Sequence, residues 1–384
     1  KFKGEADVVS LDLEPWFTRP NLRSRISGNT SFDLTLPDAG FEAATVTFAT
    51  RLSEIAIAGY VASGVQARGS YRSGDLDVDG SGAAYGAAFT TIARWEQARE
   101  ELSARGRFAR LNLRRLPRRF SVPAMESVLA GSYDTVVGRR AWRGHVVLDP
   151  SVVLGARIAN GATGQVDTAV PGIAYSFRGT LSDIDPDRFK PFVPSWSDAL
   201  SRVHGRLNAA IHLDARGARL DGTCLKLQTT LTDSVVCATP AGCPGDGPTA
   251  GTRVDRLDAA VVLDAARLPA DVKGDLRSLG PASLGSEQPA DATGDGHIDA
   301  RVVIADVRAP LSVESVEGSV RAAFANASVM GLKIDEATVD AAVAGGLAQV
   351  TALDVRGPSA HVTARGAVAL AGQNTSDLTY VIDV

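Results

Sequence analysis

Residues Leu353–Gly372 read LDVRGPSAHVTARGAVALAG. After the turn-forming Gly357-Pro358-Ser359, Ala360, Val362, Ala364, Gly366, Val368 and Leu370 fall on one parity. His361, Thr363, Arg365, Ala367 and Ala369 fall on the other. A period of two is the signature of a strand, because successive side chains leave a pleated chain on opposite sides. One face here is apolar and built from small side chains; the other is mixed and carries charge. The stretch reads as half of an antiparallel hairpin whose apolar face needs a cover.

The same alternation recurs along the chain. It sets Phe32, Leu34 and Leu36 against Ser31, Asp33 and Thr35, and Leu76 and Val78 against Asp75, Asp77 and Asp79. Ile211 and Leu213, then Val261 and Leu263, then Val302 and Ile304 continue it, followed by Ile334 and Val339. Val46, Phe48, Val146 and Leu148 belong to the same set. Gly, Asn, Asp and Pro separate the runs at short intervals, as in a β-meander with one apolar and one polar face. The expected fold is all-β: a long antiparallel sheet curled into an open trough, with a few short helices. The best helical candidate is WEQAREELSA, Trp95–Ala104, which lacks an N-cap and reads equally as extended chain.

Composition narrows the function classes. The chain has 384 residues, 45% hydrophobic and 22% charged, so it is not of disordered type. A formal net charge of −4 gives no polyanion-binding signal overall. The Arg-rich stretch Arg110–Phe120, RLNLRRLPRRF, reads first as a solvated strand end, with a binding patch as the alternative. No apolar run is long enough to cross a bilayer as a helix. The chain reads as strand at both ends, KFKGEADVVSLDL and LTYVIDV, and is expected to be a stretch of a longer protein. Targeting or anchoring segments would then lie outside it.

Organisation is expected to be one continuous repetitive β region over 1–384, with module joints near 106/107 and 180/181. One element recurs: a strand, a Pro, a Phe, a second Pro, a short helix, a Gly and a new strand. It runs through Pro15, Phe17, Pro20 and Gly28, then Pro117, Phe120, Pro123 and Gly131, then Pro186, Phe189, Pro194 and Gly205. The expectation is that Pro opens a helical turn and Gly caps it. Loop insertions are expected near 237–251 and 278–299, both rich in Gly, Pro, Ser and Ala. Cys237 and Cys243 flank the first, where a small disulfide loop would leave Cys224 over.

Motifs that carry chemistry are scarce. There is no GxSxG, HExxH or P-loop. GSGAAYG, Gly80–Gly86, opens no helix and so makes no phosphate cradle. The five histidines are scattered, with His212 and His361 on the polar parity of their strands and therefore expected to be exposed. DATGDGHID places Asp291, Asp295 and Asp299 at positions 1, 5 and 9 of a calcium loop, with Gly296 at the sharp turn. Thr293 at position 3 and Val302 at position 12 depart from that pattern, so the readings are a structural calcium site or a plain polar loop between strands. No other cofactor is expected, and no catalytic residue.

The recurrent strand–Pro–Phe–helix–Gly–strand element, with LDVRGPSAHVTARGAVAL, SDLTYVIDV and LDVDGSGAAYGAAFT, resembles the AsmA-like and TamB-type envelope proteins. The resemblance is one of repeat style over most of the chain. It implies a trough whose apolar inside carries acyl chains across the periplasm, an inner-membrane anchor outside this stretch, and phospholipid and envelope or outer-membrane proteins as partners. It implies no catalytic residue and no nucleic-acid role. The lining would be Phe32, Leu34, Leu36, Val46, Phe48, Leu76, Val78, Val146, Leu148, Ile211, Leu213, Val261, Leu263, Val302, Ile304, Ile334, Val339, Val362, Val368 and Leu370.

Physical chemistry supports that reading separately. A two-layer sandwich fills its interior with bulky side chains at crystal-like density. Here aromatics are 6% and many inward positions are Ala, Val or Gly. The alternative is a structural, adhesin-like β-solenoid with a dry closed core. An enzyme acting on envelope polymers is a third reading that no convergent acid, base or nucleophile supports.

Overall fold

The computed structural model describes the chain except residues 13, 15–22, 38–43, 58, 119–121, 171, 193–203, 218–223, 238–250, 265, 279–291, 308, 310–311, 330–331 and 372–373. The protein is all-β, a single antiparallel sheet of 23 strands. The chain divides into two compact units: Lys1–Leu154 with Ile158–Tyr175, and Gly155–Arg157 with Ser176–Val384. The expected joint at 106/107 falls inside an unbroken strand.

The first unit is a meander of β1 (Phe2–Leu11), β2 (Ser24–Thr35), β3 (Thr45–Ile57), β4 (Tyr60–Arg72), β5 (Asp75–Ala84), β6 (Ala87–Glu96), β7 (Glu101–Leu111), β8 (Ser127–Val137) and β9 (Trp142–Leu148). Each pairs antiparallel with the next. The short β10 (Ser151–Val153) returns to β8, and β12 (Ala162–Asp167) pairs with β9. Residues 156–158 form β11 (Ala156–Ile158), which pairs with β13 (Ala174–Ile184).

The second unit continues as β14 (His204–Arg216), β15 (Cys224–Cys237), β16 (Thr252–Leu263), β17 (Leu268–Arg277), β18 (Ala292–Ile304), β19 (Val316–Val329), β20 (Leu332–Ala344), β21 (Leu347–Arg356), β22 (His361–Ala369) and β23 (Asp377–Asp383). These too pair in sequence order, all antiparallel. The opening stretch is the hairpin β21–β22, closed by the Gly357 N–H donating to the Ala360 carbonyl at 3.0 Å.

Several local expectations need correction. Trp95–Ala104 is a hairpin, not a helix: a 3-10 turn at Gln97–Arg99 joins β6 to β7, and Trp95 faces Leu102 across it. Cross-strand pairing of two large apolar side chains outweighs the weak helix preference of Glu, Gln and Ala. The second loop is shorter than expected, because 292–299 belongs to β18. GSGAAYG ends β5 and turns into β6, with Tyr85 and Gly86 both at positive φ.

The glycines of the recurrent element are not helix caps, while its Pro15, Phe17, Pro20, Phe120 and Pro194 lie outside the described residues. Gly28, Gly131 and Gly205 lie inside β2, β8 and β14. A Cβ at Gly28 would come within 2.6 Å of Leu52 Cα, at Gly131 within 3.0 Å of Leu148 Cα, and at Gly205 within 3.2 Å of Val236 Cα. They permit close approach of the neighbouring strand. Each crossover begins with a non-glycine residue in the left-handed region: Ser10 at φ 52°, Arg110 at 60° and Asp183 at 57°. Two residues on, Asp12, Asn112 and Asp185 each accept a backbone N–H, from Glu14 at 3.1 Å, Arg114 at 3.0 Å and Asp187 at 3.0 Å. In the third copy this opens α1 (Pro186–Phe189), with Pro in the first turn and a 3-10 turn after it.

Few of the described residues are buried, and two groups of them sit at the crossovers. In the first unit Ser127, Ser151, Leu148 and Ala162 are buried beside the second crossover. In the second unit His204, Ser234, Cys237, Thr252 and Val254 are buried where the third crossover lands. Most of the large apolar side chains on the sheet are only half-buried.

Candidate functional site

Register converts parity into a surface. In the first unit the ladders place Gly4, Phe32, Phe48, Gly69, Val78, Ala93 and Ala104 side by side, ending at Thr135, Gly144 and Val166. The next row is Phe2, Leu34, Val46, Tyr71, Leu76, Trp95, Leu102, Val137 and Trp142. Gly82, Phe89, Phe108, Gly131, Leu148 and Ala162 form a third, and Val146 lies opposite Tyr133 between it and the first.

The second unit repeats the arrangement. One row is Ala209, Leu231, Leu257, Gly274, Ile298, Ala322, Val339, Leu353, Ala364 and Tyr380. Another is Leu213, Leu227, Val261, Ala270, Val302, Gly318, Val343, Ala348 and Val368. Between them, Ile211 leads through Thr229, Ala259 and Val272 to Ala300. Leu263 faces Leu225, Ile304 faces Leu268 and Val316, and Val362 faces Val355 and Ile382.

Most of the expected lining residues thus fall on continuous apolar rows, each within one unit. Leu148 and Leu263 are buried and the others on the rows half-buried. Leu36 follows the end of β2 and is half-buried; Leu370 follows the end of β22 and is 44% exposed, away from the rows. Ile334 and Val339 have opposite parity, yet the apolar positions of β20 that are covered run Ile334, Ala337, Val339, Ala341 and Val343, with Ala341 buried and the others half-buried. The alternation slips by one residue, next to Asn326 at φ 51° on β19. Such bulges are invisible to a strict period-two reading.

The aromatic rings lie low. A Cβ at Gly4 would come within 2.7 Å of the Phe32 ring, and at Gly296 within 2.7 Å of the Phe324 ring. Gly82 stands 3.1 Å from Phe89 in the same sense, and the Phe48 ring covers Gly69. Rings lying over glycines of the next strand stabilise the sheet without projecting from it. The sequence signal was present, Gly on the apolar parity beside a Phe strand, but it needs the register to be read.

The opposite face is a lattice of charge pairs. Lys273 meets Asp299 at 3.4 Å, Arg321 meets Asp340 at 3.0 Å and Arg301 meets Asp271 at 3.6 Å. The Arg256 guanidinium, and then the Thr230 hydroxyl, hold the Asp258 carboxyl below its ordinary value. Arg356 does the same for Asp354, with a smaller contribution from His361. His212 and His361 lie on this face partly exposed, beside Asp214 and Asp354 at 3.2 Å each. A shallow depression of about 800 Å³ opens here among Arg178, His212, Thr230, Asp258, Lys273 and Asp299. Its carboxylates are already paired.

The calcium loop does not form as expected. Gly296 makes no turn; it lies in the β18 ladder opposite Leu276 and Phe324. Asp295 and Asp299 are four residues apart on an extended strand, about 13 Å, too far to share one ion. Asp295 accepts the Ser278 N–H at 3.2 Å and Asp299 pairs with Lys273. Asp291 lies outside the described residues. Among the described residues no cluster of His, Cys, Asp and Glu could hold a metal. Cys237 is disulfide-bonded and Cys224 is free, while Cys243, its expected partner, lies outside the described residues.

Among the described residues no helix is long and apolar enough to cross a membrane. No family model matches the chain, and no curated protein or solved structure does either.

Proposed function

We propose that the apolar face of each unit holds acyl chains, and that the protein stores or conducts lipid, phospholipid in the first instance, without catalysing a reaction. The observation that carries this reading is the continuity of the apolar rows under incomplete cover. A row such as Ala209 to Tyr380 crosses from β14 to β23 with no charged residue; its small residues Ala209, Gly274, Ala322 and Ala364 are buried, while Leu231, Leu257, Ile298, Val339 and Leu353 stay half-buried and Tyr380 exposed. Small side chains and flat rings leave room above it.

Energetics favour an acyl chain as the occupant. Leaving the bilayer for water costs about 0.8 kcal/mol per CH₂. A sixteen-carbon chain therefore faces more than roughly 10 kcal/mol. A continuous apolar surface offsets nearly all of it, while the headgroup stays in water and no charge is buried. No nucleophile or base is required. The resemblance to AsmA-like and TamB-type proteins implies such a task in the bacterial periplasm, between inner and outer membranes. The closed β-solenoid is less well supported, because a solenoid stacks its coils in parallel register and the described ladders of this meander are antiparallel.

Lipid extraction and native mass spectrometry of the purified protein test the reading. Phospholipid retained at stoichiometric level is the expected result. Lipid-free protein that also takes up no fluorescent fatty acid would overturn it.

A further inference from the structure

The three crossovers solve one structural problem with one set of parts. Each has a left-handed residue, a side chain that caps the N–H two residues on, and a tie to the strand that follows. In the first, Asp12 accepts the Ser24 N–H at 2.9 Å. In the second, the Ser127 hydroxyl accepts the Leu113 N–H at 2.8 Å. In the third, His204 meets Asp187 at 2.7 Å. What differs between the copies is therefore not needed to build a crossover.

Charge differs sharply. Between Ser10 and Ser24 the sequence has Asp12 and Glu14 against Arg19 and Arg23. Between Asp183 and His204 it has four aspartates against Arg188, Lys190 and Arg202. Between Arg110 and Ser127 it has Arg110, Arg114, Arg115, Arg118 and Arg119 against Glu126 alone, with Arg105 and Arg107 just before them on β7. Arg107 pairs with Asp149 at 2.6 Å. Arg105, Arg110, Arg114, Arg115 and Arg118 are exposed, and among the described residues none has a carboxylate partner. Aliphatic surface accompanies them: Val122 is 39% exposed, Val128 56% and Val152 37%. Val128 and Val152 face each other across the β8–β10 ladder.

We infer that the second crossover is a docking surface for an anionic phospholipid bilayer. Its arginines meet headgroup phosphates, and its valines enter the interface. A nucleic-acid site would pair the cations with stacking aromatics; among the described residues of this crossover the exposed companions are aliphatic. Docking stands on observations separate from the acyl-chain reading, and a chain that carried no lipid would still dock.

Vesicle co-sedimentation tests it, with phosphatidylcholine alone and with phosphatidylcholine mixed with phosphatidylglycerol. Wild type is expected to bind only the mixed vesicles, and less at high salt. The variant Arg114→Glu, Arg115→Glu, Arg118→Glu is expected to lose more than roughly tenfold in binding. A control of equal charge change, Arg51→Glu, Arg68→Glu, Arg365→Glu, is expected to keep most of it. Should the first variant unfold, replacing the same three arginines with Gln gives the same comparison. Equal binding to both vesicle types, unchanged binding by the crossover variant, or retention of a DNA duplex without vesicle binding would overturn the inference.

Discussion

Asp187 ties the third crossover to the sheet. Its carboxylate meets His204 Nδ1 at 2.7 Å and also Lys190 Nζ, and it sits on α1 while His204 opens β14. The hydrogen bond from His204, then that from Lys190, holds the Asp187 carboxyl below its ordinary value, with burial opposing. A carboxyl depressed in the folded state adds stability above its unfolded value, and that stability is lost as pH falls through the folded one. Asp187→Asn should cost about 1 kcal/mol at neutral pH, a modest value because the carboxylate is partly exposed. The gap between variant and wild type should close below about pH 4. Urea denaturation at pH 7 and pH 3 measures both; an undiminished gap at low pH would show that the ion pair is not the cause.

Elements here are set by devices one or two residues long. Ser10 holds φ 52° at the end of β1, and its N–H reaches Ser27 Oγ at 3.0 Å. Since the left-handed region strains any residue with a Cβ, Ser10→Gly should stabilise by about 0.5–1 kcal/mol. A thermal melt that falls would contradict the strain argument. At the other extreme, Gly296→Val has no room beneath the Phe324 ring. It should destabilise by about 1–3 kcal/mol and lift the ring from the sheet. A double variant with Phe324→Ala should recover part of the loss, and strict additivity would remove the claimed contact.

Strand identity was legible because one parity is charged and the other is not. Asp75, Asp77 and Asp79 against Leu76 and Val78 leave no other period. What alternation could not reveal is where it slips. Asn326 at positive φ, the extra residue near Asp255 in β16 and the mixed parity of Ile334 and Val339 all insert residues without a sequence marker. The calcium-like loop misled for a related reason. Its spacing fits a turn, but Gly296 is required by Phe324 on the next strand. Continuity of the apolar face was expected; the flat rings over glycines were not, since they depend on register between strands.

At the scale of the whole molecule, the account rests on two faces of unlike chemistry. Along the long apolar rows, buried small residues such as Ala209, Ala322 and Ala364 alternate with larger side chains that are only half-buried. Ile211→Asp tests what that cover is. On an open surface the carboxylate reaches water, so the protein should stay folded, lose bound lipid and drop by no more than about 1–3 kcal/mol. In a dry closed core the same change would unfold the unit by stranding a buried charge. Circular dichroism and lipid content, measured on one preparation, separate the outcomes.

Val261 and Val262 give the most direct measurement. They are adjacent on β16 and point to opposite faces; Val261 is half-buried on the apolar row, and Val262 is 38% exposed on the other side. A photo-crosslinking side chain placed at each position in turn reports which face touches acyl chains in cells. The account predicts lipid adducts at 261 and none at 262. Adducts at both positions alike, or at neither, would contradict it.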